Sequence, residues 1–123
     1  MEDLNNIFNA LKTELTVFSP PFVIRNETAR RFELWSGKDL VIEGRRRKEV
    51  YFAGLIIQKG YVGFYFMPVY IEAEMKQVFP PELLRLLKGK SCFHVKNLNG
   101  NTLTGIRAAL KTGFDLYQQR GWV

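Results

Sequence analysis

The sequence predicts an α+β fold, a two-layer sandwich in which an antiparallel sheet of about five strands carries the N- and C-terminal helices on one face. Three observations favour it. Apolar residues recur at helical spacing near both ends of the chain, β-branched and aromatic residues dominate between them, and glycines interrupt that middle region where tight turns are expected. The 123 residues form one domain, 1–123, of a size that buries roughly two thirds of its unfolded surface.

The first predicted element is an amphipathic N-terminal helix. Its end is set by Ser19-Pro20-Pro21, because proline cannot continue a helix. Its apolar stripe consists of Leu4, Ile7, Phe8, Leu11, Leu15 and Phe18.

Two β-hairpins are predicted next. Strands 31–35 and 40–43 flank Ser-Gly-Lys-Asp, a plausible hairpin loop, and strands 50–58 and 61–70 flank Lys59-Gly60. Gly60 supplies the positive φ that a two-residue turn requires.

The C-terminal third is predicted to contain a short helix, a strand and a long helix. Pro81 stands in the first turn of the short helix and Gly89 just past its end, and residues 91–96 form the strand. Asn101 or Thr102 is predicted to cap the long helix. Its apolar stripe consists of Leu103, Ile106, Leu110, Phe114 and Tyr117.

The turn at Lys59-Gly60 predicts which side chains share a face of the sheet. It pairs Leu55 with Phe64 on a core face, and glycines with bulky residues on the opposite face, where aromatic rings can cover bare backbone. If the last strand joins this hairpin, the outer face carries a candidate ligand or partner site. Its predicted residues are Phe52, Ile56, Tyr61, Tyr65, Met67, Cys92 and His94.

Cys92 and His94 are the only cysteine and histidine, and their spacing allows three interpretations. Thiolate and imidazole are metal ligands, and a Cys–His pair can form a nucleophile. The interpretation we favour is simpler: alternate residues of a strand share a side, so a half-buried cysteine and a surface histidine fall together.

The net charge of +6 includes one local run of cations. Arg45, Arg46, Arg47 and Lys48 are candidates for contact with nucleic acid, although such runs are usually solvated loop tips. The single cysteine, the absence of a signal-peptide pattern and apolar runs too short to span a bilayer predict a cytoplasmic protein without membrane contact.

Several enzyme signatures are missing from the sequence. Gly-Tyr-Val-Gly-Phe lacks the lysine and helix of a phosphate-binding loop, no paired-carboxylate cluster occurs, and no serine triad is available beyond the single His94. The chain is therefore predicted to be non-enzymatic.

Several segments resemble the YdhG-like domain, most strongly over residues 50–123. They are Phe52-Ala53-Gly54, Gly63-Phe64-Tyr65, Met67-Pro68, Gly89-Lys90-Ser91-Cys92-Phe93 and Gly121-Trp122. The resemblance implies a small α+β domain of frataxin-like arrangement in a family that mostly lacks an assigned activity. For a few relatives it implies iron handling.

The leading hypothesis is a binding domain that uses the aromatic outer face for a small ligand or a protein partner, without a cofactor. The face could instead form a homodimer interface or be partly covered by segment 22–30. Iron or metal handling through Cys92 and His94 is the alternative function, and nucleic-acid binding through the basic run is the second alternative.

Overall fold

The structure is a computed structural model that describes residues 3–47 and 49–123. Its elements are α1 (Leu4–Thr16), β1 (Val23–Arg25), β2 (Arg31–Ser36), β3 (Leu40–Ile42), β4 (Arg45–Arg47), β5 (Val50–Gln58), β6 (Tyr61–Phe66), α2 (Met67–Ile71), a 3-10 helix (Ala73–Val78), α3 (Pro81–Leu84), β7 (Leu87–Lys88), β8 (Cys92–Val95) and α4 (Gly100–Gln119).

The predicted α+β class is confirmed. An antiparallel six-stranded sheet runs in the order β1-β2-β5-β6-β8-β7, and β3 and β4 form a separate two-stranded hairpin. The short edge strands β1 and β7 were not predicted and raise the strand number above five. In the part of the chain that is described, no helix is long and apolar enough to cross a membrane.

The core lies between one face of the sheet and the two long helices. The sheet contributes phenylalanines from four strands, and the predicted stripes of α1 and α4 face them. Fully buried side chains include Phe8, Leu11, Leu15, Phe32, Leu55, Phe64, Phe93, Ile106, Leu110 and Tyr117. Each such side chain contributes about 1.5–3 kcal/mol on burial, so this layer supplies most of the favourable folding energy.

The predicted register of the central hairpin is confirmed. Leu55 pairs with Phe64 and Ile57 with Val62, and Gly60 has the expected positive φ of 88°. β8 joins β6 as its next neighbour, with Phe93 opposite Phe64. The core face and the outer face of these three strands therefore alternate as predicted.

The prediction for Phe52 is wrong because β5 contains a bulge. Leu34 of β2 pairs with Ala53 whereas Trp35 pairs with Tyr51, which leaves Phe52 without a partner in β2. Phe52 points into the core, is 0% exposed and stacks on Phe22 with ring centroids 4.2 Å apart. Tyr51, for which no such place was predicted, lies on the outer face instead of Phe52.

β6 is shorter than predicted. It ends at Phe66, and Met67 begins the short helix α2, so the predicted pair of Phe52 and Met67 does not form. Pro68 explains the change, since it lacks the N–H for a sheet ladder but fits the first turn of a helix.

The predicted hairpin of strands 31–35 and 40–43 is also wrong. β3 pairs with β4, around a turn in which Glu43 and Gly44 both have positive φ, 51° and 79°. Positive φ at both central residues is the two-residue hairpin geometry, and its twist matches the flanking strands. Residues 45–47 are thus a strand and not a loop tip.

Two smaller predictions are corrected. Asn99, and not Asn101 or Thr102, caps α4, and its side chain accepts a 2.8 Å hydrogen bond from the backbone N–H of Thr102. Segment 22–30 extends the edge of the sheet and does not form a separate cover: Phe22 is buried in the core, residues 23–25 form the edge strand β1, and Asn26 donates a hydrogen bond to Glu33 at the outer face.

α4 approaches the sheet closely at Gly113. A Cβ added there would lie 2.7 Å from Cζ of Phe66 and 2.9 Å from Cγ of Pro68. Phe66 is fully buried and surrounded by other aromatic rings, so it has little room to move. The absence of a Cβ at Gly113 therefore allows the short distance between α4 and the sheet.

We expect Gly113→Ala to lower the free energy of unfolding by about 1–3 kcal/mol, because overpacking a core forces side chains off their rotamers. The matched control is Gly100→Ala in the first turn of the same helix, where a Cβ would meet nothing within 4 Å. The control should be neutral or stabilise by up to about 1 kcal/mol. Urea denaturation of both variants measures the difference, and equal losses would contradict the close approach.

Candidate functional site

The outer face of the sheet, opposite the long helices, carries most of the predicted site residues. Register places Tyr65 beside Cys92, and His94 beside Gly63. The other side chains on this face follow from the same alternation. They are Arg25, Arg31, Glu33, Ile56, Gln58, Tyr61 and Lys88.

Tyr61 and His94 form a stacked pair on the outer face. Their ring centroids are 3.8 Å apart and the planes are inclined by 12°. Burial, and then the charges of Lys88 and Lys96, lower the pKa of His94, so the imidazole is neutral at pH 7. The pair is an uncharged aromatic surface with cations beside it.

Tyr65 and Cys92 form a second contact on this face. Burial raises the pKa of the Cys92 thiol, although a hydrogen bond with the Tyr65 hydroxyl works in the opposite direction. Cys92 is therefore a protonated thiol at neutral pH, whereas a reactive cysteine needs a lowered pKa. Within residues 3–47 and 49–123, no three His, Cys, Asp or Glu side chains are grouped to hold a metal ion, so Cys92 and His94 have no third ligand there.

Glu33 is the hydrogen-bonding centre of the outer face. It is 5% exposed, and its carboxylate accepts from Asn26 at 2.7 Å, Arg31 at 2.9 Å and Trp35 at 3.0 Å. Burial works to raise the pKa of Glu33, but the hydrogen bonds from Trp35, Asn26 and Arg31 outweigh it and the pKa is lowered. Ionised Glu33 thereby fixes the indole of Trp35.

One end of the outer face is hollowed into a groove of about 960 Å³, which we call the aromatic groove. The β3–β4 hairpin, α2 and the C-terminus form its walls. Its lining residues are Trp35, Val41, Ile42, Glu43, Arg47, Glu49, Val50, Tyr51, Met67, Tyr70, Ile71, Arg120 and Trp122. Two of the large apolar side chains that are most exposed, Val41 at 71% and Tyr70 at 55%, belong to it.

The bulge in β5 builds the inner end of the aromatic groove. It turns Tyr51 outward against Trp35, with the rings edge to face and 5.1 Å between centroids. The Tyr51 hydroxyl lies over Gly54, where a Cβ would be only 2.1 Å from the oxygen. Burial and the nearby charge of Glu33 raise the pKa of Tyr51, so the hydroxyl stays protonated.

The C-terminus forms another wall through a cap at the end of α4. Gly121 has a φ of 73°, its N–H donates to Gln118, and the N–H of Trp122 donates to the carbonyl of Tyr117 at 2.8 Å. This is the Schellman motif, and the usual apolar contact accompanies it as Trp122 packs against Tyr117. The carbonyl of Trp122 also accepts from the Ser36 hydroxyl, which ties the end of the chain to β2.

Some of the charged side chains in the aromatic groove form ion pairs and others do not. Glu49 pairs with Arg25, and Arg120 pairs with Glu72 at 3.2 Å while lying over the ring of Trp122. Glu43 and Arg47 form no ion pair with any other described residue. Within the described part of the chain, the groove thus offers a large aromatic surface with one carboxylate and one guanidinium group outside any ion pair.

The structure brings together only part of the predicted site. Ile56, Tyr61, Tyr65, Cys92 and His94 share the outer face, Met67 lines the aromatic groove instead, and Phe52 belongs to the core. Sequence reasoning missed Trp35, Tyr51, Glu33 and Trp122. The alternation of Arg31, Glu33 and Trp35 in β2 could have indicated that these three share a face.

The basic run occupies β4, away from Tyr61 and Tyr65 in the strand pairing. Arg45, Arg46 and Arg47 are exposed, and Arg46 forms two hydrogen bonds with Asp39, at 3.0 and 2.6 Å. Arg47 lines the aromatic groove. Lys48 lies outside the described residues.

No protein-family model, curated protein or solved structure matches this chain. The resemblance to YdhG-like domains therefore stays a prediction from the sequence.

Replacing Gly54 tests how the aromatic groove is built. Gly54→Ala should lower the free energy of unfolding by about 1–3 kcal/mol and alter tryptophan emission, because the new Cβ displaces Tyr51 from Trp35. Urea denaturation followed by fluorescence measures both effects. The double variant Tyr51→Phe/Gly54→Ala should lose less free energy of unfolding than the sum of the two single changes, because it lacks the Tyr51 hydroxyl that the new Cβ would clash with. Additive losses would contradict the contact.

Glu33→Gln should make stability less dependent on pH. The lowered pKa of Glu33 means that its ionised form stabilises the fold above the unfolded value near 4.5, and this contribution is lost as pH falls through the folded pKa. We expect a loss of about 1–3 kcal/mol at pH 7 that shrinks towards pH 3. Glu27→Gln, in the exposed pair with Lys12, is the control and should cost at most about 1 kcal/mol. Urea denaturation across this pH range measures both, and a loss for Glu33→Gln that is constant with pH would contradict the role of its charge.

Proposed function

We propose that the chain is a non-enzymatic binding domain of the YdhG-like family and that it binds a small organic ligand with a flat apolar part in the aromatic groove. The observation that carries the proposal is the meeting of Trp35, Tyr51, Tyr70 and Trp122 around one concave volume. Volumes of roughly 300–1,000 Å³ lined by apolar and aromatic groups with a few polar ones are typical of small-molecule sites.

The exposure of the rim supports this proposal. Val41 and Tyr70 face solvent from different walls, the first on the β3–β4 hairpin and the second on α2. Exposing large apolar side chains is unfavourable unless something covers them, and a cluster of them marks a binding surface. The ligand would gain affinity by removing these side chains from water.

The chemistry of the groove favours binding over reaction. Its polar groups include the Tyr51 hydroxyl, which stays protonated, two carboxylates and two guanidinium groups. Of these, Glu49 and Arg120 already pair with Arg25 and Glu72, which lie outside the lining. Cys92 lies outside the groove, and its pKa is raised. Neither the arrangement nor the pKa values provide a nucleophile with its base.

Tryptophan fluorescence tests the proposal directly, because the chain's two tryptophans both line the groove. A screen of flat aromatic fragments should yield compounds that shift or quench this emission in a saturable way. Tyr70→Ser should weaken their binding about ten-fold, since the ligand then buries less apolar surface.

Val17→Ser is the control, because Val17 is a large apolar side chain that is even more exposed than Tyr70 (73% against 55%), follows the end of α1 and does not line the groove. It should leave the affinity unchanged. A screen without saturable binders, or an equal loss in both variants, would rule out the groove as the site.

A further inference from the structure

The outer face away from the aromatic groove has an uneven charge. Lys88 projects from β7, Lys59 stands in the β5–β6 turn and Lys96 directly follows β8, all of them exposed. No described acidic side chain forms an ion pair with any of the three. Glu33, the acid of this face, is buried and paired with Arg31 at 2.8 Å.

Aromatic rings lie among these cations. Tyr61 and His94 stack as a partly exposed pair on β6 and β8, and Tyr65 is next along β6 on the same side. Lys88 pairs with Cys92 across β7 and β8, and Lys96 stands two residues after His94, so both cations lie beside the His94 ring. The long helices occupy the opposite face, so among the described residues this strip of sheet is left open.

We infer that this strip, from Lys59 across Tyr61 and His94 to Lys88 and Lys96, binds single-stranded nucleic acid. The lysines contact phosphates, and the rings of Tyr61 and Tyr65 stack on bases. Cations that follow a backbone, combined with rings that accept any base, are the general means of holding single strands.

The flat shape of the strip favours a single strand over a duplex. The bases of a duplex are stacked on each other and reached only through its grooves, which a helix or a two-stranded ribbon enters. The open face of this sheet has no protruding helix or ribbon that could enter a groove. Its exposed rings can instead stack on the unstacked bases of a single strand. The inference does not depend on the aromatic groove.

Fluorescence anisotropy with a labelled oligothymidylate of about 12 nucleotides tests the charge contribution. The full chain is compared with Lys88→Gln/Lys96→Gln over a range of salt concentrations. The double variant should bind more weakly at low salt, and the slope of log affinity against log salt should fall by about 1.4, or about 0.7 for each lost phosphate contact.

Lys12→Gln/Lys111→Gln is the matched control, because it removes the same charge from α1 and α4 in the other layer. It should keep the slope of the unmodified chain. Equal losses in both double variants would show a non-specific effect of net charge and overturn the inference. So would a loss confined to Arg45→Gln/Arg46→Gln/Arg47→Gln, which would place the contact on the β3–β4 hairpin.

The stacking contribution has its own test. Tyr61→Ala should weaken oligothymidylate binding about 5- to 100-fold, whereas Tyr61→Phe, which keeps the ring, should change it little. A heparin fragment of similar charge, which has no bases, should bind with equal affinity to all three proteins. Loss of heparin binding in step with the oligonucleotide, or equal affinities of Tyr61→Ala and the unmodified chain for the oligonucleotide, would refute stacking. Tyr70→Ser, in the groove, should leave binding of the oligonucleotide unaltered.

Discussion

The bulge in β5 shapes both faces of the sheet. By leaving Phe52 unpaired it sends that ring into the core, where it stacks on Phe22, and it turns Tyr51 outward against Trp35. It also leaves the Tyr51 carbonyl free to accept a 2.7 Å hydrogen bond from the hydroxyl of Tyr117 in α4. One extra residue in a strand thus supplies a core ring, a groove wall and a bond between the layers.

The contacts of α4 extend this constraint to the end of the chain. Gly113 lets the helix approach Phe66 and Pro68, and the cap at Gly121 then directs Trp122 back onto Tyr117. The position of the groove wall therefore depends on the spacing between helix and sheet. The segments on which the predicted resemblance to YdhG-like domains rests include the bulge, the switch from β6 to α2 and this cap. Each is a place where backbone geometry restricts the residue type.

The two faces of the sheet have different roles. The inner face is apolar and covered by helices, so it contributes stability. On the outer face, the buried carboxylate of Glu33 accepts hydrogen bonds from three donors, among them Arg31 and the indole of Trp35, which lines the aromatic groove. Because a buried charge is costly without its partners, Glu33 links the integrity of the groove to the fold.

Elements with local sequence signals could be predicted before the fold was known. Apolar spacing predicted both long helices, and Gly60 with strict alternation predicted the register of β5, β6 and β8, including the shared side of Cys92 and His94. The bulge at Phe52, the pairing of β3 with β4 and the assembly of the aromatic groove could not be predicted in this way. A bulge and a strand partner depend on packing across the whole sheet, which here buries Phe52 among Phe22, Phe66 and Tyr117. Such packing between distant residues leaves no periodic pattern in the sequence.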